Sequence, residues 1–299
     1  MTGYPEAGRG LTLSVMASTL FALMSAYAKL LAPLTGLDIF AWRILWTAPG
    51  ALALIALRGR WPALVELVRR SVRDWRLLIA LPVSAALLGV QLWLFLWAPL
   101  HGRMLEVSLG YFLLPLTMVL VGRFYYHERL DPLQWAAVAC AALGVVHEVW
   151  ATRAFAWPTL VVALGYPPYF VLRRRSNADS LAAFAVEIAL LCPIAFAMVA
   201  TSTTRVGNQP VLWAALLPGL GVLSTLALAS YLKASRMLPM ALFGILCYVE
   251  PVLLVAVSLL LLGETLSVAK LATYGPIWAA VALTAWHSTM LMRRLPPRG

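Results

Sequence analysis

The sequence predicts an all-α polytopic membrane protein with ten transmembrane helices in two inverted-topology five-helix repeats. Of the 299 residues, 62% are hydrophobic and 12% are charged, and the mean hydropathy is +0.86. About a quarter of the residues of a soluble domain are charged. Ten apolar runs also approach the roughly 20 residues that a helix needs to cross a hydrocarbon core of about 30 Å. A third observation, an internal repeat, predicts how the ten helices are arranged.

The apolar runs lie between short polar segments, which set the boundaries of the predicted spans. The N-terminal segment lacks a charged region followed by a short apolar core and a cleavage site, so we expect no removable signal peptide. The first run therefore counts as a span. The ten predicted spans are residues 10–32, 37–57, 76–97, 104–124, 132–150, 155–172, 180–201, 211–232, 239–262 and 268–290.

Two sequence shifts relate the second half of the chain to the first half. In each half a proline stands thirteen residues before a glutamate, and a shift of 136 residues superposes Pro115 on Pro251 and Glu128 on Glu264. The sequence therefore predicts a duplicated unit, with the first repeat over residues 1–151 and the second over residues 152–299. A shift of 144 residues superposes Lys29 on Arg173, Leu37 on Leu181, Phe40 on Phe184, Arg43 on Glu187 and Pro49 on Pro193.

The number of spans in each repeat has a consequence for function. Because five is odd, the second repeat must enter the membrane in the opposite orientation to the first. Inverted-topology repeats are typical of secondary transporters, in which the substrate site lies near the midplane between the repeats. Two such units can exchange conformations and convert an inward-open cavity into an outward-open one. Repeats can also stack apolar helices for stability alone, but this alternative does not account for charged residues inside the spans.

Basic residues are concentrated on one side of the predicted membrane. If both termini lie on that side, 17 of the 23 Lys and Arg residues fall there and five fall on the other side. The positive-inside rule then places both termini in the cytoplasm. The net charge of +11 is thus a topology signal, and we do not expect nucleic-acid binding. Six arginines of this side follow span two: Arg58, Arg60, Arg69, Arg70, Arg73 and Arg76.

Three charged residues fall inside predicted spans, namely Arg43, Glu187 and Glu250. A charge in hydrocarbon costs about 2.5–3.5 kcal/mol on insertion scales, and such residues usually face a helix-bundle interior or a watery cavity. Arg43 and Glu187 are repeat equivalents at opposite depths, so we predict a gating or coupling role. Snorkelling, or bonding to neighbouring carbonyls, is their structural alternative. Glu250 is a predicted substrate ligand, or else packs beside the carbonyl that Pro251 frees.

Polar and aromatic side chains in the middle of the spans supply further candidates. Gln91 is the one central amide, which can bind the carboxylate or ammonium of an amino acid, or instead bond to another helix. The tyrosines nearest the midplane can stack on a planar or cationic substrate, or can serve packing alone. The predicted substrate-binding residues are Gln91, Tyr111, Tyr166, Tyr169, Tyr248 and Glu250.

Prolines inside the spans leave a carbonyl four residues earlier without its helical partner, which is tolerated only where other groups compensate. We expect kinks that present polar backbone at Pro115 in span four and at Pro251 in span nine. In span six we expect Pro167 and Pro168 to interrupt the helix. A plain structural bend is the alternative at each position.

The sequence lacks patterns of catalysis or metal binding. His101 and His147 fall at the outer ends of spans and His127 and His287 near the cytoplasmic ends, so the four histidines cannot share one metal ion. No GxSxG, HExxH, DxD or Walker-type run occurs. We therefore expect no enzyme, no metal and no cofactor. Since no span repeats the polar stripe that would line an open pore, a channel is also disfavoured.

Three short stretches carry a family resemblance: AWRILW in span two, SLGYF with its following proline in span four, and YVEP in span nine. They resemble the RarD-like branch of the bacterial drug/metabolite transporter superfamily, whose members have two EamA-type halves and include aromatic amino acid exporters of the YddG type. The resemblance covers nearly the whole chain. It implies a ten-helix exporter of small metabolites in the bacterial inner membrane.

The resemblance leaves the substrate open, because members of the superfamily move amino acids, nucleotide sugars and drugs. The predicted site contains tyrosines, one amide and one carboxylate, without the basic cluster that a phosphate requires. We therefore expect amino acids with aromatic or apolar side chains, exported with broad selectivity by alternating access. Lipophilic or cationic drugs resembling chloramphenicol are the alternative. The expected partners are a small-molecule substrate and the lipid bilayer, and we expect a monomer.

The predicted topology can be tested by cysteine labelling. In a background without the native cysteines, we predict that the Val65→Cys variant reacts with an impermeant maleimide only from the cytoplasmic side. The Asn208→Cys variant should react only from the outside, because an odd number of spans separates the two loops. Permeabilised cells, in which both positions should react, provide the control. Labelling of both positions from the same side would contradict the inverted repeat.

Overall fold

The structure, a computed structural model, describes residues 4–101, 103–153, 156–204, 210–250, 252–253 and 268–293. Within these ranges all regular secondary structure is helical. The helices are α1 (Tyr4–Lys29), α2 (Gly36–Leu57), α3 (Trp61–Arg73), α4 (Trp75–Leu100), α5 (Met104–Phe124), α6 (Pro132–Thr152), α7 (Trp157–Arg175), α8 (Ser180–Thr201), α9 (Pro210–Met237), α10 (Met240–Leu246) and α11 (Val268–Arg293).

The predicted membrane class is confirmed. Among the described residues, seven helical segments are long and apolar enough to cross a bilayer, and Leu271–Leu283 is a shorter apolar segment. The total of ten spans stays a prediction, because span nine runs into residues outside the described ranges. The seven segments are Gly8–Lys29, Gly36–Leu57, Trp75–Leu94, Glu106–Phe124, Pro132–Ala151, Ser180–Thr201 and Leu212–Met237.

Polar residues in the loops determine where several helices begin. At α2, the hydroxyl of Thr35 accepts from the backbone N–H of Asp38, and the carboxylate of Asp38 accepts from the N–H of Thr35. Asp131 and Gln134 form the same reciprocal capping box at α6. The carboxylate of Asp179 accepts from two N–H groups at the start of α8. Each cap satisfies donors that have no partner inside the helix.

The predicted interruption of span six at its double proline is wrong, because α7 continues through Pro167 and Pro168. Pro167 has no N–H for the carbonyl of Ala163, four residues earlier. The hydroxyl of Thr117, on α5, donates to that carbonyl at 2.7 Å. A neighbouring helix thus supplies the missing hydrogen bond, which removes the reason for a break.

Span nine, in contrast, is discontinuous. Helix α10 ends at Leu246, a turn follows at Cys247 and Tyr248, and the backbone is helical again at Val249. Pro251 and Glu264, two residues of the repeat, lie outside the described residues. Span four differs, since α5 is a continuous helix through Pro115.

The chain divides into two compact units, each of which takes segments from both halves of the sequence. Unit 1 comprises Met1–Ala22, Leu105–Pro167 and Ala234–Gly299, and unit 2 comprises Leu23–Met104 and Pro168–Lys233. In unit 1, α6 packs against α11, and in unit 2, α2 packs against α8. Both pairs join a span of the first predicted repeat to its equivalent in the second. The repeat boundary at residue 151 itself stays a prediction.

Unit 1 has an apolar core contributed by α5, α6, α10 and α11, with Ala137, Ala141 and Ile277 fully or almost fully buried. In this core the hydroxyl of Tyr248 donates to the carbonyl of Phe112 at 2.8 Å. These two residues are equivalent under the shift of 136 residues. Direct contact between equivalent residues is the arrangement that a two-fold repeat produces close to its axis.

The carboxylate of Glu128 holds the first turn of α10. Its Oε1 accepts from the N–H of Met240 at 2.6 Å, and its Oε2 accepts from the N–H of Ala241 at 2.8 Å. Helix N-termini favour negative charge, because the first N–H groups have no partner inside the helix. A Cβ on Gly122 would lie 2.7 Å from both Ala241 N and Glu128 Oε2. Glycine is therefore required for this close approach.

We predict that Glu128→Gln lowers the free energy of unfolding by about 2–3 kcal/mol, because an amide turns one of its acceptors into a donor facing an N–H group. Glu264→Gln should behave alike, since the repeat shift matches Met240 to Met104, where α5 begins. Denaturation in detergent and folded yield measure the effect. Glu66→Gln, at an exposed carboxylate, is the control. Normal stability with weakened substrate affinity would contradict this structural role.

Candidate functional site

Glu187 on α8 is the centre of a buried polar network in unit 2, and none of its surface is exposed. The hydroxyl of Ser84, on α4, donates to Glu187 Oε1. On α7, the hydroxyl of Tyr169 donates to Glu187 Oε2 at 3.1 Å, and Nη1 of Arg173 forms an ion pair with the same oxygen. We call these four residues the Glu187 network. The predicted residues Tyr169 and Glu187 are thus brought together.

The charges in the Glu187 network are balanced. Arg173 is 4% exposed, so its guanidinium and the carboxylate of Glu187 have both lost their hydration. Burial of charges is tolerable only when they are paired and their remaining groups are hydrogen-bonded. Nη2 of Arg173 donates to the carbonyl of Ser180 at 2.8 Å, and its Cζ lies 5.8 Å from the ring centroid of Tyr169. The network is therefore neutral and well satisfied.

A small cavity adjoins the network in unit 2. It gives the buried pair an edge that is not covered by tightly packed side chains. It is lined by Ser84, Arg173, Ser176 and Glu187 and by the apolar residues Leu81 and Ala183, among others.

Sequence analysis missed Ser84 and Arg173 as members of the site. Arg173 seemed to belong to a loop of basic residues, one position past the end of predicted span six. Its spacing from Tyr169 was the available signal, because residues four apart lie on the same face of a helix. Ser84 offered no signal, since a serine in an apolar helix is usually a neutral packing residue.

The repeat equivalent of Glu187 makes an equivalent contact. Nε of Arg43, on α2, donates to Oγ of Ser224 on α9 at 2.9 Å. Ser224 follows Ser84 by 140 residues, a shift between the 136 and 144 of the flanking spans, so equivalent charged residues bind equivalent serines. The second feature of the network is not repeated. Arg173 corresponds to Lys29, an exposed residue, and two basic side chains at positions 29 and 43 cannot form an ion pair.

The other predicted site residues are distributed over the two units. Gln91 is buried in unit 2. In unit 1, the rings of Tyr111 and Tyr166 are half-buried and 6.3 Å apart between centroids. Tyr248 is buried, and its hydroxyl joins α5 as described above. Glu250 is half-buried and lies in the helical segment after the turn in span nine. Their roles as substrate ligands stay predictions.

Comparison with known proteins shows several similar chains. The model of the EamA-like transporter family matches residues 8–147. A Pseudomonas aeruginosa protein named chloramphenicol-sensitive protein RarD is 49% identical over 98% of this chain and 99% of its own. An uncharacterized transporter of Haemophilus influenzae is 38% identical over 86% of each chain. Protein RarD of Escherichia coli is 28% identical over 97% of this chain and 98% of its own.

A solved crystal structure is also similar. It covers 96% of this chain and 98% of its own, with a TM-score of 0.70 and 18% sequence identity. At this level of identity the likeness concerns the fold alone.

We predict that Glu187→Gln lowers the free energy of unfolding by about 3–5 kcal/mol, because Arg173 would remain buried without a counter-charge. The double variant Arg173→Met, Glu187→Met should recover most of this loss, since apolar side chains of similar volume need no partner. Thermal and denaturant unfolding in detergent provide the measurements.

Arg175→Met serves as the control for this cycle, because Arg175 is exposed at the end of the same helix and its loss should change stability little. An equal loss in the single and double variants would show that charge pairing does not hold the network together.

Proposed function

Because this chain belongs to the RarD-like branch of the EamA-like transporter family, we propose that it exports amino acids with aromatic or apolar side chains by alternating access. Membership makes the chain a multi-pass membrane protein of a bacterial transporter family. The inner membrane, the cytoplasmic position of both termini and the direction of transport belong to the proposal. So does the finer resemblance to aromatic amino acid exporters of the YddG type.

The charge balance of the buried residues is the observation that carries the proposed substrate class. Among the described residues, the buried charged side chains are Asp38, Arg173 and Glu187. Arg173 and Glu187 neutralise each other, and Asp38 caps α2 and accepts from the hydroxyl of Ser202 at 2.6 Å. No buried positive charge is left over for a phosphate or a nucleotide sugar. This balance supports a substrate of small net charge, such as a zwitterionic amino acid.

The proposed ligands are Gln91, Tyr111, Tyr166, Tyr169, Tyr248 and Glu250. Their rings and apolar surfaces would bind a side chain by burial, whereas the amide and the carboxylate would orient its polar end. An extra methylene changes binding in such a pocket by only about 1–3 kcal/mol, so selectivity should be broad. Tyr169 has a second role in this proposal, because its hydroxyl also belongs to the Glu187 network.

Glu187 and Arg43 are the proposed gating residues. The Glu187 network joins α4, α7 and α8, whereas the equivalent contact between Arg43 and Ser224 joins only α2 and α9. Alternating access requires such equivalent contacts to be closed in turn. We propose that the network fastens the cytoplasmic end of unit 2. The stable double variant of the preceding cycle reports this role, because a lost latch changes the maximal rate and a lost ligand changes the KM.

Export of drugs is the second candidate function. One relative, at 49% identity, is named a chloramphenicol-sensitive protein. Chloramphenicol has an aromatic ring and no net charge, so the same apolar walls would accept it. Comparison of matched substrates separates the two functions.

We predict saturable uptake of phenylalanine into proteoliposomes, with competition by leucine and tryptophan and without competition by nucleotide sugars. Phenethylamine, which lacks only the carboxylate, should be transported at least about tenfold less efficiently, because it loses a charge-assisted hydrogen bond. Protein-free liposomes are the control. Transport of phenethylamine or chloramphenicol without transport of phenylalanine would replace the amino acid function by the drug function, and flux that does not saturate would indicate a pore.

A further inference from the structure

Helix α3 was not predicted as an element, since it is a 13-residue amphipathic helix between two spans. Its buried side is anchored in unit 2. Leu67 is 3% exposed and packs in a cluster with Leu81 of α4 and with Ala182 and Ala183 of α8. Leu64 is partly buried against the same cluster. One face of α3 is therefore occupied by the protein itself.

A second face of α3 is apolar and exposed. At 100° per residue, positions i, i+4, i+7 and i+11 share one face of a helix. Trp61, Val65, Val68 and Val72 have this spacing and are 52%, 36%, 47% and 76% exposed. Trp75, directly after the helix, is 67% exposed. We call the four residues on the helix the apolar stripe.

The third face of α3 is basic. Arg69, Arg70 and Arg73 are exposed and lie on the opposite side of the helix from Leu64 and Leu67, beside the apolar stripe. Glu66 is the one acidic residue of the helix. An exposed apolar stripe beside a cationic face is the pattern of helices that lie in a membrane interface. Tryptophans at both ends of α3 fit the same depth, since Trp is enriched at the level of the headgroups.

We propose that α3 is a binding surface for anionic phospholipids of the cytoplasmic leaflet. The apolar stripe inserts between acyl chains, and the three arginines bind the phosphate groups of the lipid headgroups. Arginine suits this ligand because its planar fork of donors matches two phosphate oxygens. The proposal rests on the topology given under the proposed function, in which the loop after span two is cytoplasmic, and the anionic surface of that leaflet supplies the complementary charge.

Lipid bound to α3 is expected to influence the Glu187 network. Leu81 and Ala183 contact α3 through the cluster around Leu67 and also line the cavity beside Glu187. A helix held in the interface by lipid would therefore keep these two walls of the cavity in place. Transport by the wild-type protein should then depend on anionic lipid, beyond any general effect of the bilayer.

The test uses bimane attached to Val68→Cys, on the apolar stripe, or to Glu66→Cys, on the polar side of the same helix. Both variants lack the three native cysteines and are placed in nanodiscs of phosphatidylcholine and phosphatidylglycerol. Either lipid can be supplied with brominated acyl chains, which quench bimane on contact. We expect quenching at position 68 and not at position 66. Brominated phosphatidylglycerol should quench at about one-fifth of the mole fraction that brominated phosphatidylcholine requires.

The variant Arg69→Gln, Arg70→Gln, Arg73→Gln separates the contributions of the two faces. Its probe at position 68 should still be quenched, but equally by both lipids, because the apolar stripe remains and the cationic face is lost. Equal quenching by both lipids in the unmodified chain would overturn the proposal. So would quenching of position 68 by aqueous iodide as strong as at position 66. Burial of position 68 that is independent of lipid, together with a dimeric mass, would instead assign the stripe to a second copy of the chain.

Phenylalanine uptake at zero and 30% phosphatidylglycerol completes the test. We expect uptake to rise several-fold with anionic lipid in the wild type and not in the triple variant. Because quenching is measured without substrate, failure of the proposed transport function leaves the lipid result intact. Lipid enrichment without any change in uptake would overturn only the link to the Glu187 network.

Discussion

The structure depends on one constraint, namely that polar groups removed from water must find their partners within the protein. Hydrocarbon offers no hydrogen bonds, so each buried polar group determines which helices are neighbours. Glu187 binds α4 and α7 to α8, Glu128 binds the end of α5 to the start of α10, and Thr117 binds α5 to α7. Apolar packing alone would not select these neighbours, because lipid tails are as apolar as leucine side chains. The apolar residues fill the space that these polar contacts define.

Duplication repeats this constraint in both halves of the chain. Equivalent spans pack together, as α2 with α8 and α6 with α11, and equivalent charged residues bind equivalent serines. The two copies differ in charge, however. Position 173 is an arginine that neutralises Glu187, whereas position 29 is an exposed lysine and position 43 is an arginine. The inherited geometry is symmetric, but the chemistry within it is not, and a transporter with a preferred direction needs this kind of difference.

The sequence was sufficient for those features that are encoded locally. Hydropathy placed the spans, Thr35 and Asp131 marked helix starts, and Glu187 was conspicuous as a charge in an apolar run. Partners from distant helices were not predictable in this way. Ser84 resembles any small helical residue, and the hydroxyl of Thr117 keeps α7 continuous where its double proline indicated a break. Helix α3 was missed because a short, basic segment cannot span a membrane, although its periodicity is visible in the sequence.

The hydrogen bonds of Glu128 also set an order of events during biosynthesis. Met240 follows Glu128 by 112 residues, which a ribosome that adds about 5–20 residues per second needs roughly 6–22 s to synthesise. For that time the carboxylate has neither of the N–H groups that it binds in the folded protein. The first half of the chain therefore enters the membrane with an acceptor in waiting, and α10, only seven residues long, completes its first turn on a carboxylate that is already there.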